Sequence, residues 1–456
     1  MRLLFHVRSI GNSLLIVILL IIVVLLQVLD KTFGNTFTIS LGNIFPQADL
    51  MVFGLMVIIS IAIQIVLMKK TRGSVKVGGS KSNLGKSVLI ITNLLQYAAS
   101  GILAIILLET LLTSKYYVDL LETVVGINLI TSSVLLAVLS TRFVRTYRNY
   151  PNKVVLAYMV AITILSLSGI ITLIYVDNFL QGKPDYITSD FNPFISYSPT
   201  ISSDLVFAYQ LILLISFLSL WIATIFLTYH YAIRSRRIKY WAIVSIPLVY
   251  FASLYMIPIL DHLDLLGVLG VEDSPIYTYL YNFFLNTVRT AGGIMFGVAF
   301  FVLSRKILHT QLKKSIIMIG IGLIILLGAN ASSLIILTSY PPWGVISMTF
   351  LITGSYSLII GLDSAALYLA TDSSLRRIIA KSSQKDYDIL KSLGRSEAER
   401  IVTDKIENIS SQVYKEIQSD NLFAISSEPT NVREYINEVF EEVWKKDQNS
   451  LRKAKD

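Results

Sequence analysis

Ten apolar stretches alternate with connections of opposite charge, and this alternation constrains the chain more than any other feature. A helix needs about 20 residues to cross a hydrocarbon core of ~30 Å. Runs of that length lie near residues 10–29, 50–68, 88–108, 121–141, 154–176, 205–230, 241–260, 280–304, 315–337 and 345–370. Only 15% of the residues are charged, whereas soluble domains carry about 25%. The expected fold is an all-α polytopic membrane helix bundle. It has a transmembrane domain over residues 1–371 and a helical cytoplasmic tail over residues 372–456. The first run follows Arg2 and Arg8 as a signal peptide would. It is longer than the 7–15 apolar residues of a signal core and has no small-x-small cleavage site after it, so it reads as a retained helix.

The connections give the orientation. One alternate set holds Arg2 and Arg8, six basic residues from Lys69 to Lys86, four from Arg142 to Lys153, four from Arg234 to Lys239, and four from Arg305 to Lys314. That is twenty Lys and Arg without one acid. The other set holds only Lys31, Lys115 and Lys183. Basic residues of short loops stay on the cytoplasmic side, so both termini are expected there, in the cell membrane. The net charge of +9 then reflects topology and anionic inner-leaflet lipid, and no nucleic acid partner is needed. Thirteen acids, Asp30, Asp49, Glu109, Asp119 and Glu122 among them, lie on or near the outer face. They are what remains once Lys and Arg are kept inside, though they would also gather cations at a mouth.

The chain contains no cysteine, which excludes disulfides, thiolate nucleophiles and thiolate metal sites. Its four histidines stand at no metal-motif spacing. No cofactor is expected. Asp261, His262 and Asp264 form a weak candidate for a cation, against the simpler reading of a solvated helix end. Gly78–Ser87, GGSKSNLGKS, imitates a phosphate-binding loop but has Ser80 where the motif needs glycine, and no strand precedes it; it reads as a flexible basic loop.

Arg289 is the full charge set deepest in an apolar stretch. It lies about ten residues from the outer end of the eighth run, roughly 15 Å at 1.5 Å per residue, near mid-membrane. A charge there costs roughly 2.5–3.5 kcal/mol and has a partner or a job. Asn282 and Asn286 stand on the same face at i, i+4, i+7 spacing. Arg289, Asn286 and Asn282 are therefore the ligand-binding candidates, against the alternative of a structural arginine held by neighbouring helices. Gly293 and Gly297 form a small-xxx-small pair for close helix packing. Pro247 is expected to kink the seventh helix. Asp363, in the tenth run, is the second intramembrane charge. It sits roughly 12 Å deeper than Arg289 by helical rise, too far for an ion pair, and is expected to meet inner-leaflet polar groups or a basic loop residue. The long outer connection from Asp177 to Asp204 would either lid an outward cavity through Tyr186, Phe191, Phe194 and Tyr197 or lie among headgroups.

From Thr371 onward the composition is balanced, with 15 basic and 16 acidic residues. Three helices are expected there. The first ends at Gly394. The second opens with a capping box from Ser396 to Glu399 and carries an apolar stripe of Val402, Ile406, Ile409, Val413 and Ile417. The third follows Pro429. These faces need a small bundle, self-association or a cytoplasmic protein partner to cover them.

The segment Ser364–Glu399, SAALYLATDSSLRRIIAKSSQKDYDILKSLGRSEAE, resembles one that follows the last span in uncharacterised polytopic membrane proteins of ammonia-oxidising archaea. The region around Trp241, YHYAIRSRRIKYWAIVSIPLVYF, is similar to them too. The resemblance implies that the junction between the tenth helix and the tail is a defined element, and that the membrane is an archaeal plasma membrane. It implies no activity.

Three functions stay open. The first is a non-enzymatic sensor or scaffold whose bundle is coupled to the tail. The second is a secondary transporter or permease with Arg289 as an anion contact, although no broken helix or internal repeat supports it. The third, ranked last, is an enzyme working at the outer face; no catalytic motif is present.

Overall fold

The computed structural model describes residues 2–32, 46–77, 83–181, 183–188, 203–234, 237–262, 275–305, 307, 309–329, 340–372 and 388–419. Each apolar stretch falls on a helix as far as these residues run. The helices are α1 (Arg2–Thr32), α2 (Pro46–Val77), α3 (Asn83–Thr113), α4 (Val118–Asn149), α5 (Lys153–Leu180), α6 (Ser203–Arg234), α7 (Arg237–His262), α8 (Pro275–Arg305), α9 (Thr310–Ala329) and α10 (Val345–Thr371). An eleventh, α11 (Asp388–Ser419), follows. Among the described residues seven helices, α2 to α6, α9 and α10, are long and apolar enough to cross a membrane. Within α7 and α8 the described apolar segments are shorter, Tyr240–Ala252 and Thr290–Arg305. On the outer surfaces of α2, α3 and α7, Leu55, Leu94, Ile243 and Val249 are more than half exposed. Such a continuous apolar exterior is suited to lipid and not to water.

The centre of the bundle is α10, whose apolar window is 100% buried, against 44% in each of α2, α3 and α5. It packs on α1, α2, α3, α4, α9 and α11. Contact with α9 is backbone to backbone. A Cβ built at Gly322 would lie 2.6 Å from the Leu358 nitrogen, and one at Gly354 would lie 2.8 Å from the Leu326 nitrogen. Gly293 and Gly297 do the same work between α8 and α9: a Cβ at Gly297 would meet the Gly320 carbonyl at 2.5 Å. These glycines admit a neighbouring backbone, and tight packing is what drives helix association where no hydrophobic effect acts.

Several buried polar side chains on α10 find a partner on another helix. Gln64 of α2 donates to Thr349 at 2.6 Å, Gln96 of α3 donates to Gln64 at 2.8 Å, and Thr353 donates back to Gln96 at 3.1 Å. Ser132 of α4 and Ser355 share a hydrogen bond of 2.6 Å. In a low-dielectric interior such a satisfied cluster fixes the helices relative to one another.

Two charges counted by sequence at the outer surface, Asp30 and Lys31, lie near the end of α1 and are buried within the bundle. The Asp30 carboxylate accepts the backbone N–H of Gly344 at 2.9 Å and that of Ser347 at 2.7 Å. These are the two donors a capping box would satisfy at the start of α10, here supplied from another helix. The Lys31 ammonium donates to the Gly328 carbonyl at 2.6 Å, at the end of α9. A carboxylate on a helix N-terminus and an ammonium on a C-terminus both complement the helix dipoles.

Two local expectations are corrected, at Asn83–Ser87 and at Gly394–Ser396, and a short ribbon is added. The fold is all-α except for a two-stranded antiparallel ribbon, β1 (Lys115–Tyr117) with β2 (Tyr186–Thr188), in the register Tyr116 opposite Ile187. Tyr186 of the long connection is therefore a strand residue, while Phe191, Phe194 and Tyr197 lie outside the described residues. Asn83 to Ser87, read as loop, form the first turn of α3. Gly394 does not end a helix and Ser396 does not begin one, because α11 runs unbroken through both. The reason is close approach: a Cβ at Gly394 would lie 2.5 Å from the Cβ of Leu369 on α10. The expected second tail helix lies within α11, the first lies before Asp388 outside the described residues except for its end, and the third lies wholly outside them. Helix α7 is continuous through Pro247.

Two outcomes follow from this packing. Gly354→Ala is expected to destabilise the bundle by about 1–3 kcal/mol through overpacking against backbone, read as a lower unfolding temperature in detergent micelles. Gly101→Ala, where a Cβ meets nothing within 4 Å, leaves that temperature unchanged or raised. Asp30→Ala strands two buried donors and costs about 1–3 kcal/mol or more; Asp30→Asn, keeping one acceptor oxygen, recovers part of the loss in the same assay.

Candidate functional site at the junction of the bundle and α11

Arg142, Arg145 and Arg148 of the basic set lie in the last turns of α4, and α11 docks at that end. Its apolar attachment is small: Ile389, Leu390, Leu393 and Ala398 are buried, against the ends of α4, α5 and α10. Around this patch the contacts are ionic. Asp363, about two turns from the end of α10, pairs with Arg142 near the end of α4. The two side chains are about one-third exposed, 30% and 32%, so the pair sits at the edge of the bundle and not in its core. On α11, Arg400 pairs with Glu397 at 2.6 Å. Leu139, Arg142, Arg145 and Thr146 of α4, with Asp363 of α10 and Ser396, Glu397 and Arg400 of α11, line a single cleft.

A second set of contacts lies beside the cleft. The Glu399 carboxylate accepts the Asn149 amide at 3.0 Å and the Tyr150 hydroxyl at 3.3 Å. The Arg395 guanidinium stacks over the Tyr150 ring, 4.1 Å from its centroid, a favourable cation–π geometry. Burial and the neighbouring Glu399 carboxylate push the Tyr150 phenol up to about 12. It therefore stays a protonated donor to Glu399 at neutral pH. Asn149 and Tyr150 end α4, so this second set ties α11 to the helix whose Arg142 pairs with α10.

The remaining sequence candidates are placed as follows. Arg289, Asn286 and Asn282 lie on α8, and their side chains lie outside the described residues, as do those of Asp261, His262 and Asp264. Among the described residues no group of three acidic or histidine side chains is placed to hold a metal ion. Asp363 is the one candidate whose surroundings are described, and its partner is a basic residue counted in the sequence only as a marker of sidedness. The sequence marks none of Arg145, Arg400, Glu397, Arg395 and Tyr150 as a site residue, and gives Glu399 only a capping role. One signal was available: Arg142 and Arg145 stand at i, i+3 on one face of a helix end. Nothing in the local pattern tells which distant helix that face meets.

No protein-family model, no curated protein and no solved structure matches this chain.

Glu399→Ala removes the acceptor shared by Asn149 and Tyr150. It is expected to weaken the docking of α11 by about 0.5–1.5 kcal/mol. Hydrogen exchange of the amides from residues 388 to 406 would be faster by a matching factor, with the amides of α10 unaffected.

Proposed function

We propose that this is a multi-pass membrane protein of about ten spans, in the plasma membrane with both termini cytoplasmic, that acts as a non-enzymatic sensor or scaffold. The bundle holds helix α11 on its cytoplasmic end and passes a change in the membrane helices to it. The observation that carries the reading is the seat of α11: it packs beside Leu369 of α10 and is tied to the end of α4 by Glu399 and Arg395 on Asn149 and Tyr150, next to the Arg142–Asp363 pair that joins α4 to α10. An element fastened to two helices reports their relative position. The basic end faces the cytoplasm by the charge rule for short loops, and the seven apolar helices support the membrane assignment. The part of the tail beyond α11 is proposed to meet a protein partner or a second copy of the chain.

The test is a double-mutant cycle on the pair that joins the two helices at the seat. Arg142→Gln and Asp363→Asn are each expected to raise exchange in α11, and the double variant to raise it by less than the sum of the two. The coupling expected for a pair one-third exposed is about 0.2–1 kcal/mol, at the scale of surface ion pairs. Strict additivity, or an α11 that exchanges freely in the wild-type protein, would remove the basis for coupling. A labelled solute accumulating in vesicles that hold the wild type would favour the transporter reading.

A further inference from the structure

The charge of the cleft does not balance. Its walls hold three guanidinium groups, Arg142 and Arg145 of α4 and Arg400 of α11, and two carboxylates, Asp363 and Glu397. Each carboxylate is already engaged, Asp363 by Arg142 and Glu397 by Arg400. Arg145 makes no ion pair among the described residues. Its charge and that of Arg400 both act on Arg142 as like charges. The Nε of Arg400 is shut off from solvent and has no hydrogen-bond partner among the described residues. A buried donor without an acceptor is costly, and it marks a place where an acceptor is missing. Thr146 and Ser396, both buried, bring hydroxyls to the same cleft.

Size and access agree with one small anion. The cleft offers about 50 Å³. A water needs roughly 10–15 Å³ of such space, so the cleft holds a few waters or one tetrahedral oxyanion. Guanidinium is the side chain best matched to phosphate oxygens, which it meets with paired, parallel donors. The partial exposure of Arg142 and Asp363 leaves the cleft open at the bundle edge.

We propose that this cleft binds a phosphate group through Arg145 and Arg400, beside the Arg142–Asp363 pair, and that the bound group fastens α11 to α4. The proposal rests on the docked arrangement described above and names its ligand. The phosphate has two sources, a lipid headgroup at the membrane edge or free phosphate in solution, and both present the same oxygens to the arginines.

The experiment uses the full chain in maltoside micelles, which contain no phosphate. Inorganic phosphate is titrated at constant ionic strength in one arm, and phosphatidylglycerol is doped into the micelles in the other. The readout is hydrogen exchange over residues 388–406. Protection is expected to rise saturably in at least one arm. Response to phosphate identifies the free ion, and response to the lipid alone identifies the headgroup. Arg145→Gln and Arg400→Gln are each expected to weaken the response about tenfold, the scale of one lost charge-assisted hydrogen bond. Lys153→Gln, at the same end but outside the cleft, leaves it unchanged. An α11 that is protected and indifferent to both additives overturns the anion site and leaves the docked arrangement standing. An α11 unprotected under every condition overturns both, and a response that survives in both arginine variants is adventitious surface binding and overturns the site.

Discussion

The frame of this bundle depends on one constraint, the burial of α10 over its apolar window. A polar group buried there cannot turn to solvent, so it needs a partner on a neighbouring helix. Several have one. Asp30 satisfies the first turn, Gln64 and Gln96 serve Thr349 and Thr353, Ser132 serves Ser355, and Arg142 meets Asp363 about two turns from the partly exposed end. Helices α1, α2, α3 and α4 are thereby each fixed to the same central rod. Lys31, one residue beyond Asp30, fixes the end of α9 to that arrangement as well.

The helices were legible because a span is a local property: apolar length alone decides it. Which helix lies at the centre is not local. The mean hydropathy of α10 is 1.8 and that of the lipid-facing α2 is 2.8, so ranking by hydropathy points away from the centre. The physical reason is that lipid selects for apolar side chains, while a helix packed on all sides admits Ser, Thr and Gly that bond or interlock with neighbours. The burial of Asp30 and Lys31 was not legible for a related reason. Charges at the end of an apolar run usually mark the interface, and sequence cannot show that the ends of α9 and α10 come to meet them. The other two lysines at that end are also engaged, Lys115 over the ring of Tyr186 at 5.2 Å and Lys183 over that of Phe179 at 4.7 Å.

The same limit decided the reading of the junction. Glycine followed by a capping box is a sound local signal for a break between helices. Tertiary contact overrides it here, since Gly394 is small so that α11 can lie against Leu369. Asp363 was legible as an intramembrane charge because charge inside an apolar run is itself the signal. Arg142 was not, because a run of arginines after a span already has a sufficient explanation in topology. Only the fold separates the arginine that holds a carboxylate from its neighbours that set sidedness.

The energetics of the junction suit a reporter better than a rigid strut. Four buried apolar side chains, Ile389, Leu390, Leu393 and Ala398, attach α11, and its ionic contacts are partly exposed, each worth about 1 kcal/mol or less. The bundle itself is interlocked by backbone contact and buried hydrogen bonds. A ligand present at about a hundred times its dissociation constant stabilises the state it binds by about 2.7 kcal/mol, comparable with the ionic part of the attachment. On the proposed reading, occupancy of the arginine cleft, or a small shift of α4 against α10, changes the seating of α11 before it disturbs any membrane helix. Such an order of events needs a weakly held element on a strongly held frame, which is how the contacts are distributed here.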